Sequence, residues 1–384
     1  MRYFSFITFL LFSSFLLPAN NWETSPAELM VQDGINTMYN YEFENAITIL
    51  DSAWRIDNTH PVTPFVLIAV KWLYTQTKEG YDASYETINS EVDATAPIYK
   101  SLISKYPDKA EYYLYLGSTF GIRARTALAG KAWLDVLYFG YQGLKYIRLA
   151  QDMDETLMDV YMPIGLMEYF ACLSAAPVKW GASFMGLSTD CEVGLKHLEI
   201  AANESHYSWI EASNVLTYAY LHIERDYIKA EEVIYPLVEK FPGHPYFAFL
   251  KGEFLAKTNQ REALDELLPE LREFASKGPF IQQNECQLKL AYIRALKAFH
   301  RGGYAIAIDK CHWMLNNYHM EFDWLKGFSH LLRGQSYDML GKRELAVKDY
   351  KEVLKMDEYY PEVEEAELYL EIPFSMAVGG SNIK

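Results

Sequence analysis

The chain has 384 residues, half of them hydrophobic and 22% charged, a globular balance that excludes disorder over most of its length. Its formal net charge of −16 opposes phosphate backbones, which argues against general nucleic-acid binding. Taken over the whole chain, the same charge disfavours adsorption to anionic membranes.

Residues 1–19 read as a secretory leader. Arg2 is the basic start, Tyr3 to Leu17 is a mostly apolar run, and Leu17-Pro18-Ala19 offers a small residue for cleavage. This predicts export to the periplasm or cell envelope, with an uncleaved N-terminal membrane anchor as the alternative. Residues 20–374 read as a single helical repeat domain and 375–384 as a flexible tail. Antiparallel helical hairpins are predicted at about 27–60, 61–109, 110–155, 156–206, 207–243, 244–278, 280–319 and 324–360, with a short capping helix from Pro361 to Glu371.

The hairpins follow from self-similarity. In the clearest copy, Gly334 is followed by Tyr337 three residues on, Ala346 twelve on and Tyr350 sixteen on, with Gly341-Lys342 between. A second copy begins after Pro107 with Tyr113, Leu116, Gly117 and Phe120. Weaker copies stay in phase at Gly34, Phe43, Ala46, Leu50 and Ala53, at Tyr227, Ala230, Ile234, Leu237 and Pro242, and at Ala295, Ala298, Tyr304, Ala307, Cys311 and Met314. This pattern resembles the tetratricopeptide repeat (TPR). The resemblance implies an all-α, right-handed TPR-like solenoid whose paired helices touch at small residues. It departs from a plain repeat in the middle. Gly117 to Gly143 spans 26 residues and Gly165 to Gly194 spans 29, against 12 from Gly334 to Ala346. Residues 110–202 are therefore an expanded pair of hairpins, carrying the apolar, glycine-bearing stretch Ala176–Gly186. Phe184-Met185-Gly186, Asp190 and Gly194-Leu195 resemble a block of the eukaryotic TPR family linked to inclusion-body clearance, which implies a protein-handling or adaptor role.

Four cysteines, Cys172, Cys191, Cys286 and Cys311, all fall in helical patterns and are expected as buried free thiols; no Cys-x-x-Cys occurs. No pair of His four apart accompanies a Glu, so a helical zinc protease is excluded. His312 and His319 share a helix face but supply too few ligands to fix a metal. No phosphate-cradling Gly-rich loop or Gly-x-Ser-x-Gly elbow is present. Adjacent carboxylates such as Glu231-Glu232 read as solvated helix surface. No enzyme activity and no cofactor are expected; an unrecognised site in the expanded block is the alternative.

In TPR arrays the first helix of each hairpin lines a concave groove, and the resemblance implies where that stripe falls. Met162, Leu166, Tyr169 and Phe170 mark it in the fourth hairpin. His222 marks it in the fifth, Tyr246 and Phe249 in the sixth, and Tyr292, Phe299 and His300 in the seventh. The stripe is apolar and aromatic and lacks the Lys, Arg and Asn of arrays that grip an acidic peptide terminus. Two readings follow. An open groove takes a hydrophobic or amphipathic protein segment, with Trp180, Phe184 and Met185 as further contacts. Alternatively the expanded helices and the 174–190 insert fill the groove, and the stripe is core. The function expected is a non-catalytic interaction scaffold of the cell envelope; a carrier of a lipid or other small apolar ligand in an enclosed cavity is the alternative.

Overall fold

The computed structural model describes residues 25–356 and 360–376. The expected leader and most of the expected tail lie outside the described residues.

Antiparallel helices follow one another in pairs: α1 (Pro26–Tyr39) with α2 (Phe43–Ile56), α3 (Thr63–Glu79) with α4 (Tyr81–Lys105), and α5 (Ala110–Ala129) with α6 (Trp133–Met153). The fourth pair is α7 (Tyr161–Leu173) with α9 (Cys191–Glu204), separated by the inserted helix α8 (Ala176–Phe184). The fifth is α10 (Trp209–Tyr218), prolonged by a π-helical turn at Ala219–Ile223, with α11 (Tyr227–Lys240). Then come α12 (Pro245–Lys257) with α13 (Arg261–Phe274), α14 (Phe280–His300) with α15 (Tyr304–Asn316), and α16 (Trp324–Met339) with α17 (Arg343–Val353). Helix α18 (Pro361–Glu371) caps the array. The fold is an all-α, TPR-like solenoid with an expanded middle.

Local chemistry sets the helix ends. The Ser25 hydroxyl accepts from the Glu28 N–H at 3.1 Å and Pro26 opens α1. Asp190 caps α9 and Asp226 caps α11 in the same way. The hairpin turns share a backbone signature that the residue types only partly reveal. In six of them the residue two past the first helix is left-handed: Tyr41, Lys131, Arg225, Asn259, Gly302 and Gly341. In five of these, the following N–H bonds back to the carbonyl five residues earlier, as Ala132 does to Ala127 and Lys342 to Tyr337. Only two of the six positions are glycine, so the turn is set by packing of the hairpin as much as by residue choice.

Pairing within a hairpin depends on close approach. A Cβ on Gly117 would stand 2.6 Å from the Gly143 carbonyl oxygen, and one on Gly194 would stand 2.6 Å from the Tyr169 nitrogen. The two long spacings of the expanded block therefore join residues that touch backbone to backbone. Gly334 meets the Tyr350 ring, and both Ala346 and Tyr350 are fully buried, so the repeat signature is a core signature.

The solenoid curls until its ends meet. Tyr39 on α1 donates to Glu211 on α10 at 2.5 Å, and its ring packs against Phe241 and Phe247. The Gly243 N–H donates to the Asn40 side chain at 3.1 Å. Tyr81 donates to Glu285 and Tyr85 to Glu321, while Arg125 bonds both oxygens of Glu321 at 3.0 and 3.1 Å. Hairpins one to three thus touch hairpins five to eight directly. At the other end, Tyr360 packs on Phe328 and Phe374 on Phe299, which lays the C-terminal segment across the inward helices.

Candidate interaction site

The closure decides between the two readings of the inward stripe. Tyr169, His222, Phe249, Tyr292 and Phe299 are all buried, with Tyr169 and His222 at 0% exposure. Met162, Leu166, Tyr246 and His300 are half-buried, and Phe170 is exposed. The open apolar groove is therefore corrected: half of the stripe is core, and only Phe170 is exposed. The stripe is covered by the chain's own first hairpin, with Tyr39 against Phe247, and by its C-terminal segment, with Phe374 against Phe299. The physical reason is curvature, which brings apolar first helices from distant hairpins into van der Waals contact and removes their surface from water.

The stripe also carries a buried ionisable cluster. His222 sits on the π turn among Tyr218, Trp324 and Phe328, with ring centroids 4.9–5.4 Å away. Burial, with Lys257 and Arg225 nearby, holds it well below its usual range, so it is neutral. Glu253 lies 3.6 Å from both His222 and Lys257, and burial pushes its carboxyl up to about 7. Arg225 bridges Glu362 at 3.2 Å and Glu365 at 2.7 Å, tying α18 to the π turn. His222 Nε2, Glu253 Oε1 and Glu362 Oε2 have no hydrogen-bond partner. The cluster locks the cap helix to the inner wall and presents no accessible face.

The insert is where exposed apolar side chains are presented. Cys172 and Cys191 form a disulfide, which corrects the expectation of four free thiols; Cys286 and Cys311 are free and buried as expected. The bridge closes a loop between residues 19 apart, with α8 inside it. Glu168 on α7 adds a second tie. Burial acts to raise its carboxyl, but hydrogen bonds from the His197 ring at 2.6 Å and the Ser188 N–H at 3.0 Å prevail and lower it. Arg148 on α6 donates to the Gly186 carbonyl. Ala182 and Leu187 anchor one side of the insert in the core. The opposite side projects Trp180 and Phe184, 75% and 93% exposed; Val178 is also exposed, and Met185 is half-buried.

Two surface clefts accompany these features. One, of about 420 Å³ between α15, α16 and α17, is lined by His312, Lys326, His330, Arg333, Lys348 and Asp349 among others. Arg333 grips buried Asp349 through two nitrogens at 2.6 and 2.8 Å. The other, of about 340 Å³, lies between Tyr41, Tyr74, Lys78 and Gln282. Both are open to solvent and not enclosed. Among the described residues no group of three or more His, Cys, Asp or Glu is arranged to hold a metal ion.

Residue patterns alone missed the disulfide, whose partners lie on separate helices with no spacing motif. They also missed the wall-to-wall closure, which depends on superhelical curvature. A signal for a further surface was present in the dense run Trp133-Leu134-Asp135-Val136-Leu137-Tyr138, whose apolar content exceeds what one buried helix face holds.

No protein-family model and no curated protein matches the chain. Among solved structures it is similar to a human IFIT1 dimer with PPP-AAAA, at 12% identity and a TM-score of 0.29 over 86% of this chain and 73% of that one. A human IFIT1 dimer with m7Gppp-AAAA gives 12% identity and a TM-score of 0.28 over 86% and 72%. Scores this low carry no argument about function, and the architecture rests on the helices described above.

Proposed function

We propose that the protein is a non-catalytic interaction scaffold of the cell envelope that binds a hydrophobic or amphipathic protein segment on the outer face of α8. The observation that carries this reading is the contrast between the stripe and the insert. The inward stripe is consumed by closure, whereas Trp180 and Phe184, one helical turn apart, stand almost fully in solvent on a helix held by a disulfide. Large apolar side chains presented on a tethered helix serve as anchors, because the backbone that carries them is already ordered. Burying both contributes roughly 1.5–3 kcal/mol each, so they anchor a contact that further residues complete to reach the about 8 kcal/mol of micromolar binding.

The test is Trp180→Asp with Phe184→Asp. The double variant keeps the far-ultraviolet circular dichroism of the parent and loses its partner in affinity capture. Full retention of the partner by a folded double variant sinks the reading. Tyr169→Asp and Phe299→Asp do not test binding, because both side chains are core.

A further inference from the structure

The far end of the α5–α6 hairpin carries a second apolar surface, distinct from α8. No residue from 127 to 142 is buried, so this end projects clear of its neighbours. Trp133, Leu134, Leu137, Tyr138 and Tyr141 are each 53–83% exposed. At 100° per residue these positions fall on one stripe of α6, about 12 Å long.

The charge around the stripe is opposite to that of the chain. Between Glu111 and Asp152 the only carboxylate is Asp135, which lies off the stripe, whereas Arg123, Arg125, Lys131, Lys145 and Arg148 fall in the same interval. Arg123 and Arg125 are engaged with Asp93 and Glu321. Lys131 and Lys145, one at each end of the stripe, are exposed and have no acidic partner among the described residues. Screening over about 8 Å at physiological ionic strength makes this local charge, not the net −16, decide what the tip meets.

We propose that this stripe lies in the interface of a bilayer containing anionic lipid and docks the hairpin tip there. The pattern fits that environment in each part. Trp and Tyr prefer the headgroup level, the two leucines reach the acyl boundary, and the flanking lysines extend to lipid phosphates. The contact is superficial: among the described residues no helix is long and apolar enough to cross a membrane.

The experiment is co-sedimentation of the protein, purified from the cells that produce it, with vesicles at physiological salt. One set is pure phosphatidylcholine and the other an equal mixture with phosphatidylglycerol. The protein sediments with the mixed vesicles and much less with the neutral ones. Leu134→Asp with Leu137→Asp weakens that partition at least about tenfold. Lys131→Glu with Lys145→Glu removes the preference for the anionic set. All four side chains are exposed, so both variants keep the parent's melting temperature. Trp180→Asp with Phe184→Asp leaves the partition unchanged, which separates this proposal from the α8 reading. Failure of the parent to sediment with mixed vesicles overturns the proposal. So does an unchanged partition for Leu134→Asp with Leu137→Asp, or a protein partner captured through these leucines without lipid.

Discussion

At the scale of single residues, buried charge joins segments that are distant in the sequence. Glu28 on α1 is fully buried and is bonded by His60 at 2.8 Å, His206 at 3.1 Å, Gln32 at 2.7 Å and Tyr207. Burial acts to raise its carboxyl, but these hydrogen bonds hold it far below the usual value of 4.5. A depressed carboxyl contributes stability above its unfolded pKa and loses it as pH falls toward the folded one. Glu28→Ala is therefore expected to cost about 3–5 kcal/mol at neutral pH. In urea unfolding, the gap between the parent and Glu28→Gln narrows below pH 4.5. Glu253 has the opposite sign. Its carboxyl is raised to about 7, so the folded state holds a proton that the unfolded state releases. Its contribution falls as pH rises from 4.5 to about 7, by on the order of 3 kcal/mol, and is flat above. Glu253→Gln gains on the parent over that window, and a constant difference from pH 4.5 to 8 contradicts the assignment. Neither role was legible in the sequence: Glu28 looks like any helix-surface carboxylate, and Glu253 is placed on the inward stripe one turn after Phe249 with nothing to say that distant segments would close over it.

At the scale of elements, two glycines of α6 separate packing from propensity. A Cβ on Gly143 would stand 2.8 Å from the Gly117 carbonyl oxygen, whereas one on Gly140 meets nothing within 4 Å. Gly143→Val is expected to destabilise by about 2 kcal/mol or more through overpacking. Gly140→Ala is expected to stabilise by up to about 1 kcal/mol through reduced chain entropy. Thermal melts of both decide it, and equal signs refute the crossing. The disulfide is worth about 3 kcal/mol by loop closure, so Cys172→Ser with Cys191→Ser lowers stability by that order and loosens α8. The order of helices was legible, since Gly117, Gly143, Gly165 and Gly194 mark the crossings directly. The insert's anchoring was not. Arg148 comes from α6, Glu168 and Cys172 from α7 and Cys191 from α9, and only the fold brings them around α8.

At the scale of the whole molecule, closure changes what a repeat array does. An open solenoid is coupled only between neighbours and unfolds piecemeal. Here Tyr39–Glu211, Tyr81–Glu285 and Arg125–Glu321 couple the first three hairpins to the fifth through eighth. Unfolding by urea is therefore expected to be one transition, with tryptophan fluorescence and circular dichroism coinciding. The inward stripe was legible as an apolar surface, but its burial was not, because helical periodicity reports which face is apolar and not what covers it. The same closure leaves Trp180 and Phe184 of α8, on which the proposed binding surface rests, outside the packed wall. The most direct measurement places a photo-activated crosslinking residue at position 184, and in a control at position 228, which is also exposed but lies on α11. After irradiation in the native cells, a discrete protein adduct is expected from position 184 and none from 228. Equal adducts from both, or none from 184 in a folded protein, would contradict a binding surface on the insert.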